Sequence, residues 1–259
     1  MWRWWSGAGS DDGHRGCLRV AFFCVRRQPD HVLEGATAPL HSLGGWEGPL
    51  LGALEAPVVM VGSDALEVER RLLAGELVCP CGGGLSPWGH ARQRSVRGVG
   101  DLRPRRARCG SCLVTHVLLA VSCLLRRADG VDVIGVALRA KATGAGHRPI
   151  AARLGRPVST VRGWLRVFAR NGEAVRSLFT ALLVQLDPLT GPLPVHPGGV
   201  VADAVEAVGA CAAAARRRLG PVGAVSPWQL AAAVTGGRLL APGLAAVSIN
   251  TSRPLGNAG

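Results

Sequence analysis

The chain has 259 residues, 48% of them hydrophobic, with a formal net charge of +13 and an isoelectric point near 11.1. That length holds one domain or two or three small ones, and the apolar fraction is enough for buried cores. The longest apolar run, Leu113 to Leu125, contains Thr, His and Ser and is too short to cross a bilayer, and Met1-Trp-Arg-Trp-Trp opens no secretory signal.

The first 57 residues strew Trp, Gly, Pro and His without a period of 2 or 3.6, so no core is expected there. They read as a disordered or mis-annotated N-terminal extension, with translation expected to start near Val58 to Met60. A regular pattern then begins. Ser63 to Gly75 predicts a helix, with an N-cap at Ser63 or Asp64 and Gly75 as its stop. Its amphipathic face is expected to carry Leu66, Val68, Arg70, Leu72 and Leu73.

Residues 76–119 alternate short β-type stretches with paired cysteines. The strands are expected at Leu85 to Trp88, Arg92 to Val99, Leu102 to Arg108 and Val114 to Leu119. Val131 to Ala142 predicts a helix with Val133, Ile134, Ala137 and Leu138 on one face. A helical hairpin follows at 147–168, and Glu173 to Leu186 reads as a further amphipathic helix. After a Pro/Gly linker at 191–199, Val200 to Leu219 predicts an alanine-rich helix ending in Arg216-Arg-Arg218. Ser226 and Pro227 open a last short helix as N-cap and N1. The expected division is an N-terminal helix with the cysteine-bearing lobe (60–125), a helical-hairpin domain (126–190), a C-terminal helical segment (198–240) and a disordered tail (241–259).

Four of the eight cysteines form two knuckles, Cys79-Pro-Cys81-Gly-Gly and Cys109-Gly-Ser-Cys112. In a reducing cytoplasm, paired cysteines read as metal ligands rather than as disulfides. A structural Zn²⁺ takes four ligands in a tetrahedron, usually two per knuckle at C-x₂₋₄-C spacing. Cys109 and Cys112 fit that spacing, whereas Cys79 and Cys81 stand one residue closer than usual. Three outcomes stay open: a zinc site of Cys79, Cys81, Cys109 and Cys112; a site in which His90 or His116 replaces a cysteine; or a lost site with structural or free thiols. The lone cysteines are expected to be small core residues.

The hairpin 147–168 has the make-up of a helix-turn-helix. Pro149 is expected at the first position of the first helix, with Ile150, Ala151 and Leu154 facing inward. Gly155 suits a left-handed turn, and Pro157 holds Arg156 extended. Ser159 is expected to cap the second helix, and Val161, Trp164, Leu165 and Phe168 fall at i, i+3, i+4 and i+7. Thr160, Arg162, Gly163 and Arg166 then face out, as a recognition helix requires. An ordinary helical hairpin with solvated arginines is the plain alternative.

The charge has a location. Of the 30 basic residues only Lys141 is lysine, so GC-rich coding contributes to the arginine count. Between Cys79 and Arg170, however, 17 basic residues face 3 acidic ones, and the rest of the chain has a net charge of −1. Coding bias alone does not sort charge that way. The segment is expected to contact DNA through the end capped by Ser159, with Thr160, Arg162 and Gly163 reaching base edges, Arg166 a base or a phosphate, and Arg103, Arg105 and Arg106 phosphates.

The strings Ile150-Ala-x-x-Leu-Gly155 and Ser159-Thr-Val-x-x-Trp-Leu165 resemble homeodomain-like helix-turn-helix modules of bacterial transposases and resolvases. Residues 60–240 as a unit resemble an actinobacterial family of zinc-ribbon plus helix-turn-helix proteins, often associated with insertion elements. The resemblance rests on Val61-Gly-Ser-Asp-Ala-Leu-Glu-Val-Glu-Arg-Arg71, Pro87-Trp-Gly-His-Ala91, Arg103-Pro-Arg-Arg-Ala-Arg-Cys109, Thr115-His-Val-Leu-Leu119 and Thr235-Gly-Gly-Arg-Leu-Leu240. That family implies no established activity, and its usual first knuckle is Cys-Pro-x-Cys, from which this chain departs.

The expected fold is therefore mainly α, with a small β zinc ribbon and a homeodomain-like helix-turn-helix domain. After Phe168 only about ninety residues remain, mostly helical, too few for the RNase-H-like core of a DDE recombinase, whose chemistry uses two metal ions. No GxxxxGK[ST], HExxH or GxSxG string is present. The expectation is a non-enzymatic, zinc-stabilised protein of the cytoplasm and nucleoid that binds double-stranded DNA as an accessory or regulator of a mobile element. The alternative is a degenerate or split transposase fragment that works with a separately encoded transposase.

Overall fold

A computed structural model describes residues 58–219, 225–242 and 244. The expectations for residues 1–57, and for most of the tail, lie outside the described residues. The elements form two layers of different character, a small sheet with one helix and a body of five helices.

The sheet takes strands from distant parts of the chain. Strand β1 (Val58–Val61) runs parallel to a strand far along the sequence, Thr115–Ala120, with Val58 opposite Val117 and Val61 opposite Ala120. That strand pairs antiparallel with Arg105–Cys109, which in turn pairs with Leu85–His90 at the sheet edge. A separate hairpin joins Arg94–Val96 to Gly100–Leu102. In chain order these are β2 (Leu85–His90), β3 (Arg94–Val96), β4 (Gly100–Leu102), β5 (Arg105–Cys109) and β6 (Thr115–Ala120), so the main sheet has the order β1-β6-β5-β2. The expected strand Leu102 to Arg108 is thus divided at Pro104, which has no N–H to continue a ladder.

Helix α1 (Ala65–Leu73) covers one face of this sheet. Asp64, not Ser63, is its cap, accepting from the backbone N–H groups of Leu66 and Glu67. Only Val68 and Leu72 are buried, while Leu66 and Leu73 are 83% and 68% exposed. The expected apolar face therefore narrows to the i, i+4 pair that meets the sheet. Alternation along β1 and β6 serves two cores. Val61 and Leu118 pack with Val68, Leu72, Leu77, Leu85 and Ala107 on the α1 side. Met60 and Leu119 join the core of the helical body.

That body comprises α2 (Val131–Ala142), α3 (His147–Leu154), α4 (Val158–Leu186), α5 (Val200–Leu219) and α6 (Pro227–Val234). Helix α2 matches its expected bounds. Helix α3 starts at His147, so Pro149 sits two residues inside the start rather than at the first position. It is tolerated there because first-turn N–H groups have no intrahelical acceptor. Helix α4 merges two expected helices into one of 29 residues. Asn171 and Gly172, in its middle, do not break it. Asn171 is buried and donates to the carbonyls of Leu239 and Ala241. A Cβ at Gly172 would lie 2.9 Å from the Val200 side chain. Both residues thus serve packing against later segments.

Helix α6 starts as expected, with Ser226 and Gln229 forming a capping box. The Ser226 hydroxyl also donates to Asp132, as does the Gln229 amide at 3.1 Å, which ties α6 to α2. Trp228 meets Phe168 edge-on at 6.5 Å. Cys123 and Cys211 are buried core residues, as expected of lone cysteines. Among the described residues, no helix is long and apolar enough to cross a membrane.

Candidate metal centre and basic helix face

Both knuckles are built from the sheet and its flanking turns. The first precedes β2, and its turn closes through Gly82 N–H to Cys79 carbonyl and Cys79 N–H to Gly83 carbonyl, both at 2.8 Å. Gly83 is there for space: a Cβ would approach the Cys109 Sγ at 2.7 Å and also meet Ser111. The second knuckle joins β5 to β6, with Cys109 N–H donating to the Val114 carbonyl.

These turns bring all four cysteines together. Their sulfurs lie within 4.8 Å of one another. Cys79 and Cys112 are 3.6 Å apart, and Cys81 and Cys109 are 3.5 Å apart. A tetrahedral thiolate site with metal–sulfur bonds of about 2.3 Å requires sulfur–sulfur distances of roughly 3.8 Å. The cluster therefore fits a metal ion, and the short Cys79-x-Cys81 spacing does not prevent convergence. Cys79 and Cys109 are buried, Cys81 and Cys112 exposed.

The surroundings favour thiolates unevenly. Burial works against ionisation of Cys109, but backbone N–H groups of Cys112 and Ser111 outweigh it and bring this thiol down to about 6. Burial pushes the Cys79 thiol up. Coordination to a cation would reverse that penalty. The two histidines weighed as ligands part company. His90 stands beside Arg105 at the end of β2, with Nδ1 3.5 Å from the guanidinium. His116 is buried, and its Nε2 is 3.1 Å from the Cys79 Sγ. It is placed to donate to a Cys79 thiolate and so would orient that side chain from outside the shell of a bound metal. Sequence spacing did not single it out over His90; its inward place on β6, opposite Ala107, does.

On the helical side, Gly155 takes the left-handed conformation at φ +61° and closes α3. Helix α4 then begins at Val158, with Pro157 at the cap position and no side-chain cap. The expected Ser159 cap is thus a correction. Proline's fixed φ starts the helix two residues earlier, leaving Ser159 exposed in the first turn. Val161, Trp164, Leu165 and Phe168 are buried as expected. Arg162 and Arg166 are exposed, Thr160 and Gly163 half-buried. Three further exposed arginines, Arg148 and Arg153 on α3 and Arg170 on α4, escaped the sequence reading. The signal for Arg170 was its helical spacing from Arg162 and Arg166, at i, i+4 and i+8.

The turn between α3 and α4 is anchored from below. Arg156 and Arg97 both pair with Asp129, whose side chain is 3% exposed, at 2.5 and 3.1 Å. The β3–β4 hairpin and the α3–α4 turn thus share one buried carboxylate. The three ribbon arginines grouped by sequence do not form a set. Arg103 is exposed, but Arg105 turns inward, pairing with Glu69 at 2.9 Å and donating to the Gly89 carbonyl. Arg105 is therefore withdrawn as a phosphate contact, because α1 supplies its counter-charge. Arg106 is half-buried.

Comparison with protein-family models, curated proteins and solved structures finds no match to this chain.

Proposed function

We propose that the chain is a zinc-stabilised protein that binds double-stranded DNA through the N-terminal half of α4, as an accessory or regulatory factor of a mobile element in the cytoplasm and nucleoid. It performs no catalysis in this reading. The observation that carries it is the division of α4. One side is locked into the core by Val161, Trp164 and Phe168, while Ser159, Arg162 and Arg166 stand exposed on the other. No ion pair is formed by Arg162 or Arg166 among the described residues. A guanidinium without a protein counter-ion is available to guanine edges or phosphates. Zinc is the metal favoured for a four-thiolate tetrahedron in a structural role.

Selection from random duplex DNA, followed by competition binding at several salt concentrations, tests this. Recovery of a shared sequence motif with a steep salt dependence is the expected result. Recovery of no motif, with affinity equal on all duplexes, overturns sequence-specific recognition.

A further inference from the structure

We infer that the open face of the β2–β5–β6 sheet is a second nucleic-acid surface, one that holds single-stranded nucleic acid by stacking a base on Trp88. This goes beyond the duplex-binding role of α4 and uses none of its residues. Trp88 lies on β2 and is 52% exposed, the most open aromatic side chain among the described residues. The Arg108 guanidinium sits 4.8 Å from its ring centre. The same arginine donates through Nε to the Leu113 carbonyl, which fixes it in place. The ring is thus pre-oriented, and its exposed half is free for a planar partner.

The rest of the face fits a polyanion with bases. Alternation on β5 buries Ala107 and Cys109 on one side and directs Arg106 and Arg108 to the other. Arg106 is half-buried on that side and forms no ion pair among the described residues. Between Leu85 and Val117 the chain has seven arginines and one acidic residue, Asp101. Two of the seven, Arg97 and Arg105, are neutralised by Asp129 and Glu69. The other five face only Asp101 within that segment.

A peptide adding to the sheet is the competing occupant, and β2 is built against it. It is one of the two edge strands, yet Pro87 offers no N–H and the ladder shifts register between Pro87 and His90. Such an edge templates another strand poorly. An exposed aromatic ring with a stacked guanidinium, beside the further cation Arg106, is instead the make-up of a stacking platform for single strands.

The test uses the full, zinc-loaded chain and a fluorescently labelled oligothymidylate of about 15 nucleotides, read by anisotropy. Trp88→Ala should weaken binding by about tenfold, and Trp88→Phe by less than about threefold, because one stacking ring replaces another. Neither change should move affinity for a random duplex by more than about twofold, since phosphate contacts dominate there. Arg162→Ala should leave oligothymidylate binding unchanged, so failure of the α4 reading and failure of this one give different patterns. Zinc content and circular dichroism of each variant confirm that it is folded. The inference is overturned if Trp88→Ala binds the single strand like the native chain. It is equally overturned if the variant loses single strand and duplex in parallel, or if polyglutamate displaces the oligonucleotide at equal charge concentration.

Discussion

The cysteine lobe and the helical body sit in one chain but are held together by different means. The lobe's own core is a handful of aliphatic side chains around Leu72, Leu85 and Leu118, and two of its buried residues are Cys79 and Cys109 of the four-cysteine cluster. The helical body buries large side chains, among them Phe168, Phe179, Trp228 and Leu239, from every helix of α2 to α6 and from the segment after α6. Apolar burial stabilises by roughly 25 cal/mol per Å², so a domain with few large apolar residues needs another source of cohesion. In the lobe that source would be a metal held by the four clustered cysteines, and in the body it is burial. The strands β1 and β6 belong to both, which makes the boundary a shared wall rather than a linker.

The largest expected effect attacks the lobe alone. Cys109→Ser, or removal of metal by a chelator, should unfold residues around both knuckles while helix content is largely kept. Circular dichroism and elemental analysis follow this. Loss of all secondary structure in one transition would mean that the two regions form a single cooperative unit. Next comes the contact between them. Asp129→Ala leaves Arg156, 19% exposed, without its carboxylate and should cost about 3 kcal/mol in urea unfolding. Arg97→Ala should cost less, since that side chain is 53% exposed.

The body's proposed role gives a third effect. Arg162→Ala should cost about 1–3 kcal/mol on the best duplex site and relax specificity there. Arg103→Ala should instead weaken all duplexes and flatten the salt slope. Unchanged specific binding in Arg162→Ala would remove α4 from recognition. The smallest effect has the opposite sign. Gly163 lies inside α4, and a Cβ there would meet nothing within 4 Å. Gly163→Ala should therefore stabilise the free protein by up to ~1 kcal/mol in thermal unfolding. Weaker DNA binding by the same variant would show that α4 needs a bare backbone at this position.

Elements with strong local signals were legible in the sequence. The bounds of α2 and α5, the Ser226 cap of α6, the left-handed Gly155 and the buried stripe on α4 all follow from caps, stops and period. The four cysteines were identifiable as a cluster in spite of the short first knuckle. What stayed hidden depends on partners distant in sequence. The strand Val58–Val61 gains its identity only from β6. The continuity of α4 through Asn171 and Gly172 is decided by Leu239 and Val200, and the inward turn of Arg105 by Glu69. A run of arginines carries no mark of which ones a later fold will neutralise.

The parallel pairing of β1 with β6 sets an order of events during synthesis. Val58–Val61 leaves the ribosome first, yet its partner Thr115–Ala120 follows only after both knuckles have emerged. Parallel strands so far apart in sequence pair slowly, because loop closure precedes any gain in contacts. The cysteines can gather a metal ion before that closure, shortening the effective loop that β1 must span. The nascent chain would thus use the ion as a folding template: starvation for metal should lengthen the time during which an unpaired β1 is exposed to proteases and to other chains.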